Sequence, residues 1–383
     1  MISNVGVRCV GCGACVADCP QKCLALKQTD SGFKYPQADT DKCIDCSLCD
    51  KVCPVLAENK GNIRVKKAFA VQAVDSSIVT KSSSGGAFYL LSVSVIKNGG
   101  SVCGVEIDKD NYVHHTIVDN IDDLYRLMGS KYVQSDVGNV YSEVKKLLSE
   151  GKQVLFSGTP CQVNALYSFL GKSYDNLLTV DVICHGVPAP YVWQKYVDFM
   201  EEKYGAEIVD VRFRSKPNGW NNFGLKLKFN NGKEYFASAR EDAYLALFLA
   251  NICLRKTCYS CEFKGGNRMA DITIGDFWGI EKIYPELYND RGISLVVVNT
   301  DKGICAIDNE PWLCGSPEVD FDKAIQYNSA YYISVERSKY SESFRESLEK
   351  MPFDKAVSKC LIKIRAKGRI ASYFQRIKRM LKK

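Results

Sequence analysis

Two short runs, Cys9–Pro20 (CVGCGACVADCP) and Cys43–Pro54 (CIDCSLCDKVCP), repeat one pattern, C-x2-C-x2-C-x3-C-P, at an offset of 34 residues. A chain with this repeat has to fold around bound metal. Three thiols within seven residues can wrap one iron–sulfur cubane corner by corner, and in this run the fourth cysteine ligates the other cluster. On that rule one [4Fe–4S] cluster takes Cys9, Cys12, Cys15 and Cys53, and the other takes Cys43, Cys46, Cys49 and Cys19. Gly11, Gly13 and Ala14 leave room for backbone close to inorganic sulfide, and each terminal proline turns the chain away. A zinc module is the alternative, but zinc sites more often pair two C-x2-C knuckles. Cys23 is left over and is expected to be a small buried apolar residue.

The remaining composition agrees with bound metal. Of 383 residues 18 are cysteine, clustered along a chain too long to need disulfide staples. An apolar share of 46% and a charged share of 25% exclude a disordered chain. The N-terminus has no apolar signal region, and the longest uncharged apolar stretch, Ala243–Leu254, has 12 residues, fewer than the ~20 a bilayer crossing needs. A cytoplasmic protein with reduced thiols is expected. The net charge of +7 is concentrated at one end. Lys355 to Lys383 holds eleven Lys and Arg and no acidic residue, which leaves −4 for everything before it.

Three segments follow: an α+β two-cluster ferredoxin-type module over 1–60, an α/β domain over 68–345 and a basic tail over 346–383, with the polar stretch Ala57–Lys67 as linker. In the second segment KAFAVQAV, SVCGVEI, KQVLFS, LLTVDVI, VDVRFR and ISLVVVN have strand character, and AFYLLSVSVIKNG, YSEVKKLLSEG and APYVWQKYVDFMEEKYG have helical patterns. Their alternation predicts a mixed, partly parallel sheet.

A second cysteine set lies in that domain. The strand at Gln153–Ser157 ends in Gly158-Thr159-Pro160-Cys161, a helical stretch follows, and the strand at Leu177–Ile183 ends in Cys184-His185-Gly186. As a βαβ unit this puts both cysteines at the carboxyl ends of parallel strands, where open α/β sheets bind ligands. Cys258 and Cys261 offer two more thiols before the strand at Asp271–Ile274. The four could hold a third [4Fe–4S] cluster, or the first two could be core thiols and the last two a zinc pair or no site; Cys253 competes as a ligand. Lys81-Ser-Ser-Ser-Gly-Gly86 before the helix at Ala87 is either a phosphate cradle or an ordinary serine N-cap.

SSSGGAF at 82–88, GSKYV at 129–133, GTPCQV at 158–163, the Cys184-His185-Gly186 step, KTCYSC at 256–261 and ADITIGDFWG at 270–279 together resemble the family of coenzyme F420 hydrogenase/dehydrogenase beta subunits. The likeness covers roughly Ala68 to Asn309, and fusion to an N-terminal two-cluster ferredoxin module is similar to known members. The resemblance implies FAD beside a [4Fe–4S] cluster held by Cys161, Cys184, Cys258 and Cys261. It implies Ser84, Gly85 and Gly86 at the FAD pyrophosphate, Ser130, Lys131 and Tyr132 near the isoalloxazine, and Thr159, Asp271 and Gly275 lining the same pocket. Lys131 would stabilise negative charge on the reduced ring, or be a surface lysine. His185 would relay protons, or be a structural imidazole. His114 and His115 lie on a polar stretch with the character of solvated residues.

In the tail, Ile370, Phe374, Ile377 and Leu381 share one helical face with basic residues around them. Such a helix lies on an anionic membrane at the inner face, docks an acidic partner, or packs on its own acidic body. No nucleic-acid module is present. The expected function is an iron–sulfur flavoprotein oxidoreductase passing electrons between a one-electron carrier such as ferredoxin and an organic substrate, with coenzyme F420 or a cell-surface polysaccharide precursor as candidates. The alternative is an electron-transfer subunit of a larger hydrogenase or dehydrogenase complex, with no substrate of its own.

Overall fold

The computed structural model describes residues 2–57, 61–308 and 310–362. Near the N-terminus the backbone bends around cysteines, so regular elements are short. One-turn helices α1 (Ala14–Ala17) and α2 (Leu48–Lys51) flank an antiparallel hairpin of β1 (Leu24–Gln28) and β2 (Lys34–Ala38). Helix α1 starts from Gly13 at φ 77°, a left-handed conformation that only glycine adopts at no steric cost. This is the expected ferredoxin-like iron–sulfur region.

From Lys67 strands and helices alternate. β3 (Lys67–Val71) leads through α3 (Ser76–Lys81) into α4 (Ala87–Lys97), and β4 (Ser101–Ile107) turns back into β5 (Val113–Val118). After α5 (Leu124–Leu127) and α6 (Val140–Ser149) come β6 (Val154–Gly158), α7 (Pro160–Leu170) and β7 (Leu177–Val182). α8 (Pro190–Tyr204) then leads to β8 (Ile208–Ser215), β9 (Gly224–Phe229) and β10 (Glu234–Ser238). Last come α9 (Ala243–Leu249), β11 (Ile272–Asp276) and β12 (Ser294–Val298).

Seven strands form one mixed sheet in the order β3-β12-β11-β7-β6-β4-β5, with β11, β7, β6 and β4 mutually parallel. All five residues of β12 are buried, as expected of a strand covered on both faces. The predicted βαβ unit is present, and its strands are neighbours with Gly158 opposite Asp181. Helix α7 is fixed by Pro160 in its first turn and a capping box between Thr159 and Gln162. The carboxyl ends of β6, β7 and β11 therefore lie along one edge.

Three details differ from the sequence reading. VDVRFR belongs to a separate three-stranded antiparallel sheet, β10-β9-β8, whose other strands were not anticipated. His115 is not solvated: it is 4% exposed on β5 and stacks on Phe156, with ring centroids 5.6 Å apart. Alternation along β5 turns it inward while His114, half-buried, faces Glu106 at 3.2 Å. Finally, Phe353, Ala356, Val357, Cys360 and Leu361, from the segment assigned to the tail, are buried in a core with α8 and β8. The amphipathic pattern at 370–381 lies outside the described residues. Among the described residues no helix is long and apolar enough to cross a membrane.

Candidate functional site

The cysteines gather around three cavities. One, of about 10 Å³, is lined by Cys9, Cys12, Cys15 and Cys53 together with Ile2, Val5, Val10 and Leu26. A second, of about 30 Å³, is lined by Cys19, Cys43, Cys46 and Cys49, and also by Cys23. Cys23 is buried, as expected, and its Sγ is also 3.4 Å from that of Cys19. The third, also about 30 Å³, brings together Cys161, Cys184, Cys258 and Cys261 at the carboxyl edge of the large sheet. Cys253 is not on that wall; it is buried in the core with α8.

These thiols are suited to a cationic metal group. Burial, reinforced by Cys9 and Cys53, pushes the Cys12 thiol up to about 12. Burial, with Cys184 adding, pushes Cys258 up to about 12 as well, and Cys161 and Cys184 are raised by burial too. Thiolates are therefore unstable there unless a positive centre binds them, and a coordinating metal inverts that balance. Among the described residues no group of three or more His, Cys, Asp or Glu is placed to share a single ion. The four-sulfur sets surround cavities instead of converging on points.

The cavities are contiguous. Ile2 lines the first and second, and Val10 lines the first and third. Arg255, fully buried, clasps the module to the α/β domain: Nε donates to the Cys9 carbonyl at 2.8 Å, Nη1 to Gln134 Oε1 at 2.9 Å and Nη2 to the Lys34 carbonyl at 3.0 Å. Gln134 Nε2 donates to the Val10 carbonyl at 3.1 Å. A Cβ on Gly11, where φ is +69°, would stand 2.5 Å from Gln134 Nε2 and 2.7 Å from Arg255 Nη1. The two segments are in close contact here.

Most of the residues implied as flavin contacts lie at the same sheet edge. Ser83 joins two of the quoted motifs, since its Oγ accepts from the Ser130 N–H at 2.7 Å and bonds Ser130 Oγ at 2.9 Å. Gly86 starts α4 at φ 97° with no side-chain cap. Ser84 Oγ is committed to the Ile293 carbonyl at 2.7 Å, and the Gly85 N–H to Ser294 Oγ at 3.0 Å. Gly85 is required by packing, since a Cβ would lie 2.1 Å from the Val71 oxygen. Lys131 Nζ donates to the carbonyls of Arg126 at 3.0 Å and Met128 at 2.8 Å, and burial with the nearby Arg212 pulls it down to about 7.

The Tyr132 ring stacks on Phe248 at 4.6 Å, and Phe248 meets His185 edge-on at 5.0 Å. His185 lines the third cavity, and its Nε2 is 2.7 Å from Asn251 Oδ1. Thr159 is on the same wall, its Oγ1 3.1 Å from Cys161 Sγ. Gly275, near the end of β11, packs so tightly that a Cβ would come within 2.7 Å of Ile183. One residue is set apart from these. Asp271 precedes β11, at the opposite edge, and its carboxylate accepts from the Thr179 N–H at 2.9 Å, Thr179 Oγ1 at 2.8 Å and Thr300 Oγ1 at 2.7 Å.

Several site residues were not anticipated. Arg255, Lys264 and Arg268 all line the third cavity. Their signal was available, because basic residues bracket the Cys258–Cys261 pair on both sides. Arg214, on β8, is held bidentate by Asp276 at 2.7 and 3.0 Å and reaches Tyr132 Oη at 3.2 Å and the Ser83 carbonyl at 3.4 Å. Lys216 Nζ donates to the carbonyls of Val79, Ser84 and Arg291 at 2.8, 3.1 and 2.8 Å. Only the fold of β8 brings them here.

A ferredoxin-like region docked on a mixed α/β sheet, with cysteine-lined cavities in both, defines an iron–sulfur protein of the electron-transfer class. Residues 8–57 match the 4Fe-4S dicluster domain, and residues 151–309 match the C terminus of the coenzyme F420 hydrogenase/dehydrogenase beta subunit. The chain thus joins an N-terminal iron–sulfur dicluster domain to the C-terminal domain of that family of beta subunits. It is 22% identical over 286 residues to a subunit of the F(420)H(2) dehydrogenase of Methanosarcina mazei, a match covering 70% of this chain and 75% of that one. It is 25% identical over 325 residues to an uncharacterized protein of Methanocaldococcus jannaschii, covering 72% and 82%. A chain from the xenon-derivatized F420-reducing [NiFe] hydrogenase complex of Methanosarcina barkeri matches with TM-score 0.45 and 16% identity, covering 81% of this chain and 94% of that one.

Proposed function

We propose that this chain carries electrons through three [4Fe–4S] clusters to a bound FAD that exchanges a hydride with an organic substrate. The observation that supports it is the arrangement of four-cysteine cavities, each joined to the next by a single residue, Ile2 or Val10. The cysteine sets would hold the clusters as Cys9/Cys12/Cys15/Cys53, Cys19/Cys43/Cys46/Cys49 and Cys161/Cys184/Cys258/Cys261. Such clusters handle single electrons, and a flavin is the group that couples them to two-electron chemistry.

For the flavin, the uncapped start of α4 at Gly86 and the Ser83–Ser130 pair suit a phosphate. Ser84 and Gly85 are committed to the protein, so they would shape the cradle through backbone instead of donating to the ligand. Tyr132, fixed by Phe248 and Arg214, is suited to orient a ring system, and Lys131 would place a titratable ammonium near it. His185, held by Asn251 beside the third cavity, would keep a proton available at the same edge.

The test is anaerobic purification followed by iron, sulfide and flavin analysis. Near twelve iron atoms and one FAD per chain are expected; eight iron atoms would remove the third cluster, and absence of flavin would remove the hydride step. A second reading, a subunit that hands electrons to a catalytic partner, is favoured by the relative in Methanosarcina mazei, itself part of a dehydrogenase. It predicts that the chain isolated from its native host elutes with a larger oxidoreductase.

A further inference from the structure

The three cavities share a sulfur lining but differ in charge. The wall at Cys9 carries no charged side chain, and the wall at Cys19 carries only Asp45. The wall at Cys161 carries Arg255, Lys264 and Arg268. Arg255 is spent on three hydrogen bonds, two of them across to the N-terminal module, and borders the Cys9 site as well, so the difference between neighbours rests on the other two.

Arg268 is the unusual one. It is fully buried, it forms an ion pair with Asp181 at 2.9 Å, and Nη1 donates to the Val182 carbonyl at 3.2 Å. Its Nε and Nη2 are buried without a hydrogen-bond partner, although leaving such donors unpaired is costly. The Tyr331 ring lies 4.6 Å from the guanidinium carbon. Asp181, its counter-charge, is not on the cavity wall, whereas the arginine is. Lys264 is anchored beside it, Nζ donating to the carbonyls of Cys184 at 2.7 Å and Ala330 at 2.6 Å.

We propose that Arg268 and Lys264 are tuning residues that hold the Cys161/Cys184/Cys258/Cys261 site at a higher reduction potential than the Cys9/Cys12/Cys15/Cys53 site across Val10. The inference rests on the three-cluster reading and adds a direction to it. A cluster with four thiolate ligands is anionic, and reduction adds one more negative charge. Fixed cations in a poorly solvated wall stabilise the reduced state more than the oxidised one. In the exchange between neighbouring sites the Cys9 site loses one electron and the Cys161 site gains it, with no proton needed. The imbalance biases electrons inward, toward the sheet edge.

The experiment is an anaerobic redox titration of the full chain followed by electron paramagnetic resonance, after iron has been counted. The signal absent from Cys161→Ser reports the third site. Its potential should lie above that of the Cys9 site. Arg268→Gln should lower it so that, at a fixed solution potential, the reduced-to-oxidised ratio falls at least tenfold, equivalent to 59 mV for one electron, and the other two potentials should stay in place. Because Arg268→Gln leaves Asp181 buried without its partner, Lys264→Gln is the parallel variant and should shift the ratio the same way if the first does not fold. Twelve iron atoms with an unshifted third potential in the folded variants, or with the third potential below the first, would overturn the tuning role alone. Eight iron atoms in the parent would overturn the three-cluster reading and this inference with it.

Discussion

The N-terminal cysteine sites and the one at the sheet edge are built by opposite means. In the first, three cysteines of a set come from one run of seven residues and the backbone bends around them, with Gly13 left-handed at the start of α1. In the second, the cysteines come from the ends of two neighbouring parallel strands and a distant loop, so the site depends on the seven-stranded sheet. Of the first kind, the Cys9 wall holds no charged side chain and the Cys19 wall only Asp45. The second allows a wall of chosen charge, which is where the three cations are found.

The comparison breaks most sharply when one site is removed. Cys161→Ser/Cys184→Ser should cost four of twelve iron atoms per chain and spare the signals of the N-terminal sites; loss of all iron would show that the sites do not assemble separately. Next in size is the clasp between the regions. Arg255→Ala removes three hydrogen bonds from a buried charged donor and should destabilise the chain by about 3–5 kcal/mol. Chemical denaturation measures this, and a loss under about 1 kcal/mol would mean the regions are held mainly by apolar packing.

Gly11→Ala sharpens the same contact when set against Gly99→Ala. Both glycines have positive φ, +69° and +76°, but an added methyl meets Gln134 and Arg255 at position 11 and nothing within 4 Å at position 99. Gly99→Ala should cost roughly 1 kcal/mol and Gly11→Ala about 1–3 kcal/mol more, the difference belonging to the clasp. Equal costs would say that the clasp yields freely.

The smallest effect at neutral pH is acid sensitivity confined to the large sheet. Burial holds His115 neutral, its pKa pushed down to about 4, while in the unfolded chain it titrates near 6.5. Between those values the unfolded chain binds more protons, so this group's contribution to stability falls as pH drops from about 6.5 to 4. His115→Phe should flatten that part of the pH profile; an unchanged slope would assign it to other groups.

The grouping of the N-terminal cysteines was legible because its signal is local: spacing groups Cys9, Cys12 and Cys15, the crossing rule adds Cys53, and all four line one cavity. The pairing of Cys161 with Cys184 was legible because a strand–helix–strand order implies parallel neighbours. Arg214 and Lys216 were not legible, since their strand joins a second sheet whose return to the edge depends on tertiary packing. The polar stretch misled at His115, because alternation along β5 turns one of the two adjacent histidines onto a buried face once β5 pairs with β4. Asp271 carries a conspicuous carboxylate within a recognisable motif, yet it ties β7 to the loop after β12 through Thr179 and Thr300.

Anomalous diffraction at the iron absorption edge, from crystals of anaerobically prepared protein, tests the central claim most directly. Three iron peaks are expected, one in each cysteine-lined cavity, with the Cys9 peak neighbouring the other two across Ile2 and Val10. Two peaks confined to the N-terminal region, with density for free thiols at Cys161, Cys184, Cys258 and Cys261, would contradict it.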